Sequence, residues 1–325
     1  MTSLPDGIVR HLREVAGQPD LTGTRYRLIG TLGHGGMGTV HLVEDTELGR
    51  EVALKVLSLP DEAGDLSARL IAEARLLARL EHPNIIPIHD VGRLSDGRVY
   101  YAMKYVRGER LDEWRRQGPT QPSMLRLFQR LCGAIAFAHA YGVIHRDLKP
   151  ENIMVGPFGE ALVMDWGVAR VIDGPAERGA VIGTPAWMAP EQARGDTDRI
   201  DERTDVHALG AILYFLLSGH PPSEEGAGAP GVDRPSAPGR FPGEVPRALR
   251  AICLKALSER REDRYASAEL MAADVERFLD GHPVTAHGET LLEKAVRIAR
   301  RNREMALLVL AYILMRALVI LLAGT

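Results

Sequence analysis

One run of eight residues, His145-Arg146-Asp147-Leu148-Lys149-Pro150-Glu151-Asn152, constrains this chain more than any other feature, and Asp165-Trp166-Gly167 follows it a short way downstream. An Asp and an Asn on one tight loop, joined by a second Asp from a nearby strand, can accept a hydroxyl proton and hold magnesium on nucleotide phosphates. Leu162-Val163-Met164 is an apolar strand that would present Asp165 for that purpose. An octet of this kind does not arise by chance, so the chain is expected to fold in a way that brings that loop and strand end together.

Upstream, the sequence reads as strand, glycine-rich turn, strand, with Gly33, Gly35, Gly36 and Gly38 in the turn. Glycines at these spacings let backbone amides approach phosphate oxygens with no Cβ in the way. A Rossmann dinucleotide site would need a helix straight after the glycines. Here the β-prone Thr39-Val40-His41-Leu42-Val43 follows instead, which favours a hairpin. Val52-Ala53-Leu54-Lys55 is an alternating strand behind that hairpin, and Ser67–Ala78 is a helix free of Gly and Pro. Leu70, Glu73, Ala74 and Leu77 share one face of that helix. A carboxylate inside an apolar stripe wants a cation, and Lys55 is the natural one; a solvated surface glutamate would suit Glu62 or Glu81 better.

The length of 325 residues allows one large or two ordinary domains, and a net charge of −3 argues against a nucleic-acid partner. Cys132 and Cys253 show no metal or disulfide spacing and read as reduced core thiols. The amino terminus lacks a basic stretch and an apolar core, so no secretory signal is expected. Composition changes abruptly at the other end. Met305 to Gly324 is an apolar run broken only by Arg316, long enough to cross a bilayer as a helix. Its eleven Leu, Ile and Val residues, at about −0.3 to −0.6 kcal/mol each, offset the roughly +2.5 to +3.5 kcal/mol of a central Arg. Lys294, Arg297, Arg300, Arg301 and Arg303 crowd the preceding side, which places everything before the span in the cytoplasm.

These motifs, together with Gly183-Thr184-Pro185, Met188-Ala189-Pro190-Glu191 and the Ala-Pro-Glu-Gln-Ala run 189–193, resemble a eukaryotic-like Ser/Thr protein kinase of the bacterial type. The resemblance covers roughly residues 26–281. It implies an α+β, bilobal protein-kinase fold, with a β-rich N-lobe (26–106) that includes the Glu73 helix and a mainly α-helical C-lobe (107–281). An N-terminal tail (1–25, with a short helix around Ile8–Val15), a basic juxtamembrane segment (282–303) and a transmembrane helix (304–325) complete the expected organisation. The chemistry implied is transfer of the γ-phosphoryl of ATP to protein Ser or Thr hydroxyls, with Mg2+ or Mn2+. Asp147 would orient the attacking hydroxyl or accept its proton, and Lys149 would stabilise the transferring phosphoryl. Lys55, paired with Glu73, would neutralise the α- and β-phosphates. Asn152 and Asp165 would bind metal. The cofactor pocket would take in Gly33, Gly35, Gly36, Gly38, Val40 and Ala53, with Met103 as gatekeeper and Lys104 to Val106, Tyr105 included, as the hinge. Glu191 should pair with Arg264, and Asp205 should brace the catalytic loop. Trp166 stands where Phe is usual and should fill the slot between His145 and Leu77.

Two further departures bear on regulation. Between Asp165 and Gly183 there is no Ser, Thr or Tyr. Kinases with an Arg before the catalytic Asp, here Arg146, commonly clamp a phosphorylated residue in this segment. Either Glu177 or Asp173 supplies a permanent anion for Arg146, or the loop is acidic and Arg146 idle; Thr184 is expected to hydrogen-bond Asp147 and Lys149. Pro221 to Pro246 is about half Gly and Pro and is expected to be a loop, leaving substrate choice to the cleft. The single residue after Gly324 leads to the expectation of no extracytoplasmic domain, with signals arriving from the cytoplasm, the bilayer or a partner. Arg316 would snorkel or pair with an intramembrane carboxylate of a partner. The alternatives to an active kinase are a membrane-tethered pseudokinase scaffold and, more remotely, a small-molecule phosphotransferase. The presence of Lys55, Asp147 and Asp165 disfavours the first.

Overall fold

The computed structural model describes residues 18–34, 38–57, 65–171, 183–222, 241, 245–290, 293–294, 308, 311–312 and 315–316. Five strands, β1 (Tyr26–His34), β2 (Gly38–Asp45), β3 (Arg50–Leu57), β4 (Ile88–Arg93) and β5 (Val99–Lys104), make an antiparallel sheet in the order β1-β2-β3-β5-β4. Successive side chains of a strand point to opposite faces, and β3 and β5 divide accordingly. Val52, Leu54 and Val56 join Tyr100 and Ala102 in a small outer core. Ala53, Leu57, Tyr101 and Met103 enter the main core on the inner face. Helix α1 (Asp65–Leu77) contributes Leu70, Ala74 and Leu77 to that main core. The expected apolar stripe is therefore the buried face, and Glu73 is buried within it.

The second lobe is mainly helical. After β6 (Glu109–Arg110) come α2 (Leu111–Arg116), α3 (Gln121–Ala140), β7 (Val143–Ile144), β8 (Ile153–Val155), β9 (Ala161–Val163) and β10 (Arg170–Val171). Then follow α4 (Pro190–Ala193), α5 (Glu202–Ser218), α6 (Arg247–Ala256) and α7 (Ala268–Leu279). The expected helix 125–141 starts four residues earlier, because Thr120 caps it by accepting the Ser123 N–H and Pro122 suits the first turn. Helix α5 is buried from Thr204 to Leu217, capped by Asp201 and ended by Gly219 at φ 92°. The other elements of the lobe assemble around it.

One buried ion pair ties the middle of the lobe to its end. Arg264 reaches Glu191 with both amino nitrogens, 2.7 Å to Oε1 and 2.9 Å to Oε2, as expected from the sequence. Near it on α5, His207 is fully enclosed, and burial pushes its imidazole down to about 3 from an ordinary 6.5. A depressed histidine stabilises the fold above its unfolded value, and that contribution is lost as pH falls from 6.5 toward 3. Each pH unit in that window costs about 1.4 kcal/mol per such group. The substitution His207→Gln should therefore flatten the fall of Tm between about pH 6.5 and 4.5, a window above most carboxylate titration. An unchanged slope in thermal melts would show that His207 does not set it.

Packing extends beyond 26–281 at both ends. The Gln18 carbonyl accepts from Arg98, and Asp20 accepts from Ser95. Past α7, the buried Asp274 accepts the Thr285 and Ala286 N–H groups at 2.7 and 3.0 Å and the Tyr265 hydroxyl at 2.8 Å. The expected Ile8–Val15 helix lies outside the described residues. So do 291–292 and 295–303 of the basic segment, and nearly all of 304–325. Leu308, Ala311, Tyr312, Met315 and Arg316 are helical and exposed. Among the described residues no helix is long and apolar enough to cross a membrane. Within the Gly/Pro-rich stretch, 223–240 and 242–244 are likewise undescribed, while Phe241 packs its ring 4.9 Å from Tyr214.

Candidate active site

Strand register delivers the first half of the site. Lys55 on β3 lies opposite Val40 of β2 and Tyr101 of β5, and Ala53 lies opposite Met103. Val40, Ala53, Lys55 and Met103 thus share the inner face of the sheet, and Tyr105 follows directly after β5. Helix α1 brings Glu73 down onto that face. Lys55 Nζ donates to Glu73 Oε1 and Oε2 at 3.0 and 3.1 Å and to Asp165 Oδ1 at 3.2 Å. Burial alone would lower the pKa of the Lys55 ammonium, but the Glu73 and Asp165 carboxylates overturn that and hold it above its ordinary value. Burial likewise works against the Asp165 carboxylate, and Lys55 wins by holding it below the usual range. The pair expected from the apolar stripe is therefore formed, and Asp165 is drawn into it.

The Tyr101 hydroxyl also donates to Glu73 Oε1, at 2.8 Å. Sequence reasoning missed this contact. The signal was the two-residue alternation that puts Tyr101 on the same face as Met103. Gly33 and Gly38 lie at the ends of β1 and β2, while Gly35 and Gly36 lie outside the described residues. At Gly38 a Cβ would collide with the Val56 carbonyl, so close approach of β2 to β3 requires glycine there.

The second half of the site is the loop after β7. Arg146 at φ 69° and Asp165 at φ 55° are the two non-glycine residues with positive φ among those described. Such conformations cost on the order of 1–3 kcal/mol and persist only where surroundings impose them. Asp205, at the start of α5, imposes the first by accepting the His145 and Arg146 N–H groups at 2.8 and 2.9 Å. His139 Nε2 lies 2.8 Å from the same carboxylate. Burial would raise the pKa of Asp205, and the His139 hydrogen bond brings it below its ordinary value. Gln192 Nε2 donates to the Arg146 carbonyl at 2.7 Å. Neither His139 nor Gln192 was singled out from sequence, because nothing local distinguishes them.

Held this way, the loop aims its side chains together. Thr184 Oγ1 donates to Asp147 Oδ1 at 2.9 Å, and Lys149 Nζ donates to Asp147 Oδ2 at 2.8 Å. Lys149 also donates to Thr184 Oγ1 at 2.7 Å, closing a triangle expected from the sequence. Asn152 Nδ2 donates to the Asp147 carbonyl at 2.8 Å, which leaves its amide oxygen for another partner. His145 accepts the Asp147 N–H at Nδ1, so its Nε2 carries the proton that faces the Met164 carbonyl 3.1 Å away. Arg146 Nε donates to the Val168 carbonyl at 2.6 Å. Asp173 and Glu177, the expected anions for Arg146, lie outside the described residues.

Trp166 packs against His145 with ring centroids 4.6 Å apart and the rings tilted by 57°, and it is fully buried in the same core as Leu77. Its indole N–H has no hydrogen-bond partner among the described residues. An orphaned buried donor costs about 1–3 kcal/mol, and the larger ring buries more apolar surface, so the two effects roughly offset. Trp166→Phe should accordingly change stability by less than about 1 kcal/mol, whereas Trp166→Ala should cost about 3–5 kcal/mol. Chemical denaturation of both variants measures this. A large loss on Trp166→Phe would mean that the indole nitrogen has a partner.

A glycine-flanked hairpin, a strand lysine held by a helix glutamate, and a loop Asp, Lys and Asn facing a second Asp define a nucleotide-dependent phosphotransferase of bilobal architecture. Residues 26–274 match the family described as the protein kinase domain. The chain belongs to the protein kinase family, whose members use ATP and a divalent metal. It is 40% identical to the serine/threonine-protein kinase PknB of Mycobacterium leprae, with 81% of this chain and 44% of the relative covered. It is 35% identical to the serine/threonine-protein kinase PknD of Protochlamydia amoebophila, over 79% of this chain and 30% of the relative. The chain thus spans less than half the length of these relatives.

Proposed function

We propose that this chain is a Ser/Thr protein kinase of the bacterial type that transfers the γ-phosphoryl of ATP to protein Ser or Thr hydroxyls. The observation that carries this reading is the simultaneous closure of two clusters, Lys55–Glu73–Asp165 and Asp147–Lys149–Thr184. Asp147 receives the hydrogen bond of the substrate hydroxyl and takes its proton. Lys149, 2.8 Å from Asp147, brings positive charge to the transferring phosphoryl. Lys55, kept protonated by its two carboxylates, neutralises the α- and β-phosphates. Ala53, Met103 and Val40 line the apolar floor for the base, Tyr105 lies in the hinge, and Gly33, Gly35, Gly36 and Gly38 cover the phosphates.

The metal is Mg2+, with Mn2+ as a substitute. Asp165 and Asn152 fit it, because a half-exposed carboxylate and a free amide oxygen are hard oxygen donors. Among the described residues no cluster of three His, Cys, Asp or Glu could cage a cation. When bound, such an ion would be held by Asp165 and Asn152 and would offset the negative charge of the phosphates.

The kinase domain is 26–281 in this reading, and it works without phosphorylation of the segment between Asp165 and Gly183, which carries no hydroxyl. Residues 304–325 would span a membrane once, behind the basic segment 282–303, with the kinase domain in the cytoplasm and Arg316 available to an intramembrane partner. Composition supports this part of the reading, and resistance of the chain to alkaline extraction from membranes tests it.

The test of function is transfer from radiolabelled ATP with magnesium by the purified chain and by Asp147→Ala, followed by acid hydrolysis of the labelled product. Label on phosphoserine or phosphothreonine that disappears with Asp147 is the expected result. Nucleotide binding without transfer would leave only a scaffold.

A further inference from the structure

We infer that the cleft between α1 and the stretch from Trp166 to Arg170 is a docking site for an acidic, partly apolar peptide of a partner protein. The cleft has a volume of about 720 Å³, and its lining includes none of Lys55, Asp147, Lys149, Asn152 or Asp165. Four guanidinium groups surround it: Arg69, Arg75 and Arg79 from α1 and the turn after it, and Arg170 from β10. Its one carboxylate, Glu73, is already committed to Lys55 and Tyr101. Arg69, Arg75 and Arg79 are exposed, and no ion pair to a carboxylate is found for them among the described residues.

Arg170 is the fixed member of the set. Its backbone pairs with Ile144, one amino nitrogen donates to the Thr197 carbonyl at 2.7 Å, and its Nε is buried with no partner among the described residues. A buried guanidinium N–H without an acceptor is costly and calls for one. Between the cations the surface is apolar: Ile71 and Leu76 lie on the α1 side and Val143 and half-exposed Tyr141 face them. Exposed Ala68 and Ala72, one turn apart on α1, leave room for a chain to lie close.

Spacing and shape favour a peptide over other anions. Arg69 and Arg75 are separated by about 9 Å along the helix axis, and Arg79 comes about one turn later. An extended peptide rises about 3.3 Å per residue, so roughly two to three of its residues span the gap between successive arginines. A lipid surface is flat and cannot fill a concavity of this depth. The floor of the cleft joins α1 to Gly167, whose position near the Glu73 carboxylate is part of the phosphate-transfer geometry. An occupant would therefore brace the two elements whose separation sets the Lys55–Glu73–Asp165 contact.

The test is fluorescence anisotropy of a labelled Glu-Leu-Phe-Glu-Leu-Ser-Glu peptide titrated with the full chain in detergent micelles. Saturable binding that weakens with salt is expected. It should weaken about tenfold in Arg75→Glu/Arg79→Glu, and comparably when the Leu and Phe residues of the peptide are replaced by Ser. Both substituted arginines are exposed, and an unchanged Tm confirms that the variant folds. The inference is overturned if binding is absent, or if it is indifferent to the charge reversal. It is also overturned if phosphatidylserine vesicles capture the chain through the same arginines and the peptide does not compete. Binding that emerges only in Asp173→Asn/Glu177→Gln would assign the cleft to the chain's own segment and overturn it as well.

Discussion

Asp147→Ala is expected to slow phosphate transfer to protein hydroxyls by about 10²–10⁴-fold, the range that a positioned general base contributes. The expectation rests on placement. Asp147 sits where its carboxylate already takes the Thr184 hydroxyl at 2.9 Å, a geometry a substrate hydroxyl can reproduce. Lys149 and Asn152 bond to Asp147, and removing the carboxylate leaves Asn152 its bond to the backbone carbonyl. Nucleotide affinity should change little, because the residues proposed to meet the phosphates, Lys55 and Asp165, belong to the other cluster. Asp165→Ala should do the reverse and weaken metal-dependent nucleotide binding. Single-turnover transfer and nucleotide titration on both variants separate the two roles. Transfer within tenfold of the parent chain in Asp147→Ala would remove Asp147 from the chemistry.

The largest effect on stability is expected at the other end of the lobe. Arg264→Ala should destabilise the fold by about 3–5 kcal/mol, because it strands a buried Glu191 carboxylate. Arg264 is wholly buried, its bond to Glu191 is bidentate, and the Thr204 hydroxyl completes the carboxylate's shell at 3.0 Å. For a domain of this size the loss corresponds to a fall in Tm of about 6–20 °C. Burial works against the Glu191 carboxylate, and the Arg264 hydrogen bonds hold its pKa below 4.5. The pair therefore stabilises the fold fully above that pH and loses its contribution as pH falls through the depressed value. The gap in Tm between parent and variant should narrow in acid. Gln192, beside Glu191 on α4, holds the Arg146 carbonyl, so loosening of this pair should also reach the catalytic loop. A double replacement of Glu191 and Arg264 by Leu should recover part of the loss, since no lone charge then remains buried.

Local sequence determined the parts of this protein whose geometry is local. A strand fixes alternation, so Lys55 on the inner face was readable from Val52-Ala53-Leu54-Lys55. A helix fixes the three- and four-residue spacing, so Glu73 was readable as the buried carboxylate beside Leu70, Ala74 and Leu77. The convergence of Asp147 and Lys149 was readable because they lie in eight consecutive residues, and Thr184 followed from its neighbours Gly183 and Pro185.

Tertiary structure alone decided what depends on distant segments meeting. The Tyr101 hydroxyl finds Glu73 across 28 residues, and His139 finds Asp205 across 66. Asp274 gathers the chain at 285–286 because α7 ends beside it, which no periodicity announces. The four arginines of the α1 cleft are ordinary surface residues in the sequence. They become a site only because β10 returns next to a helix formed about one hundred residues earlier. Backbone spacing acts over a few residues, whereas these contacts arise from burial of apolar surface, which has no sequence range.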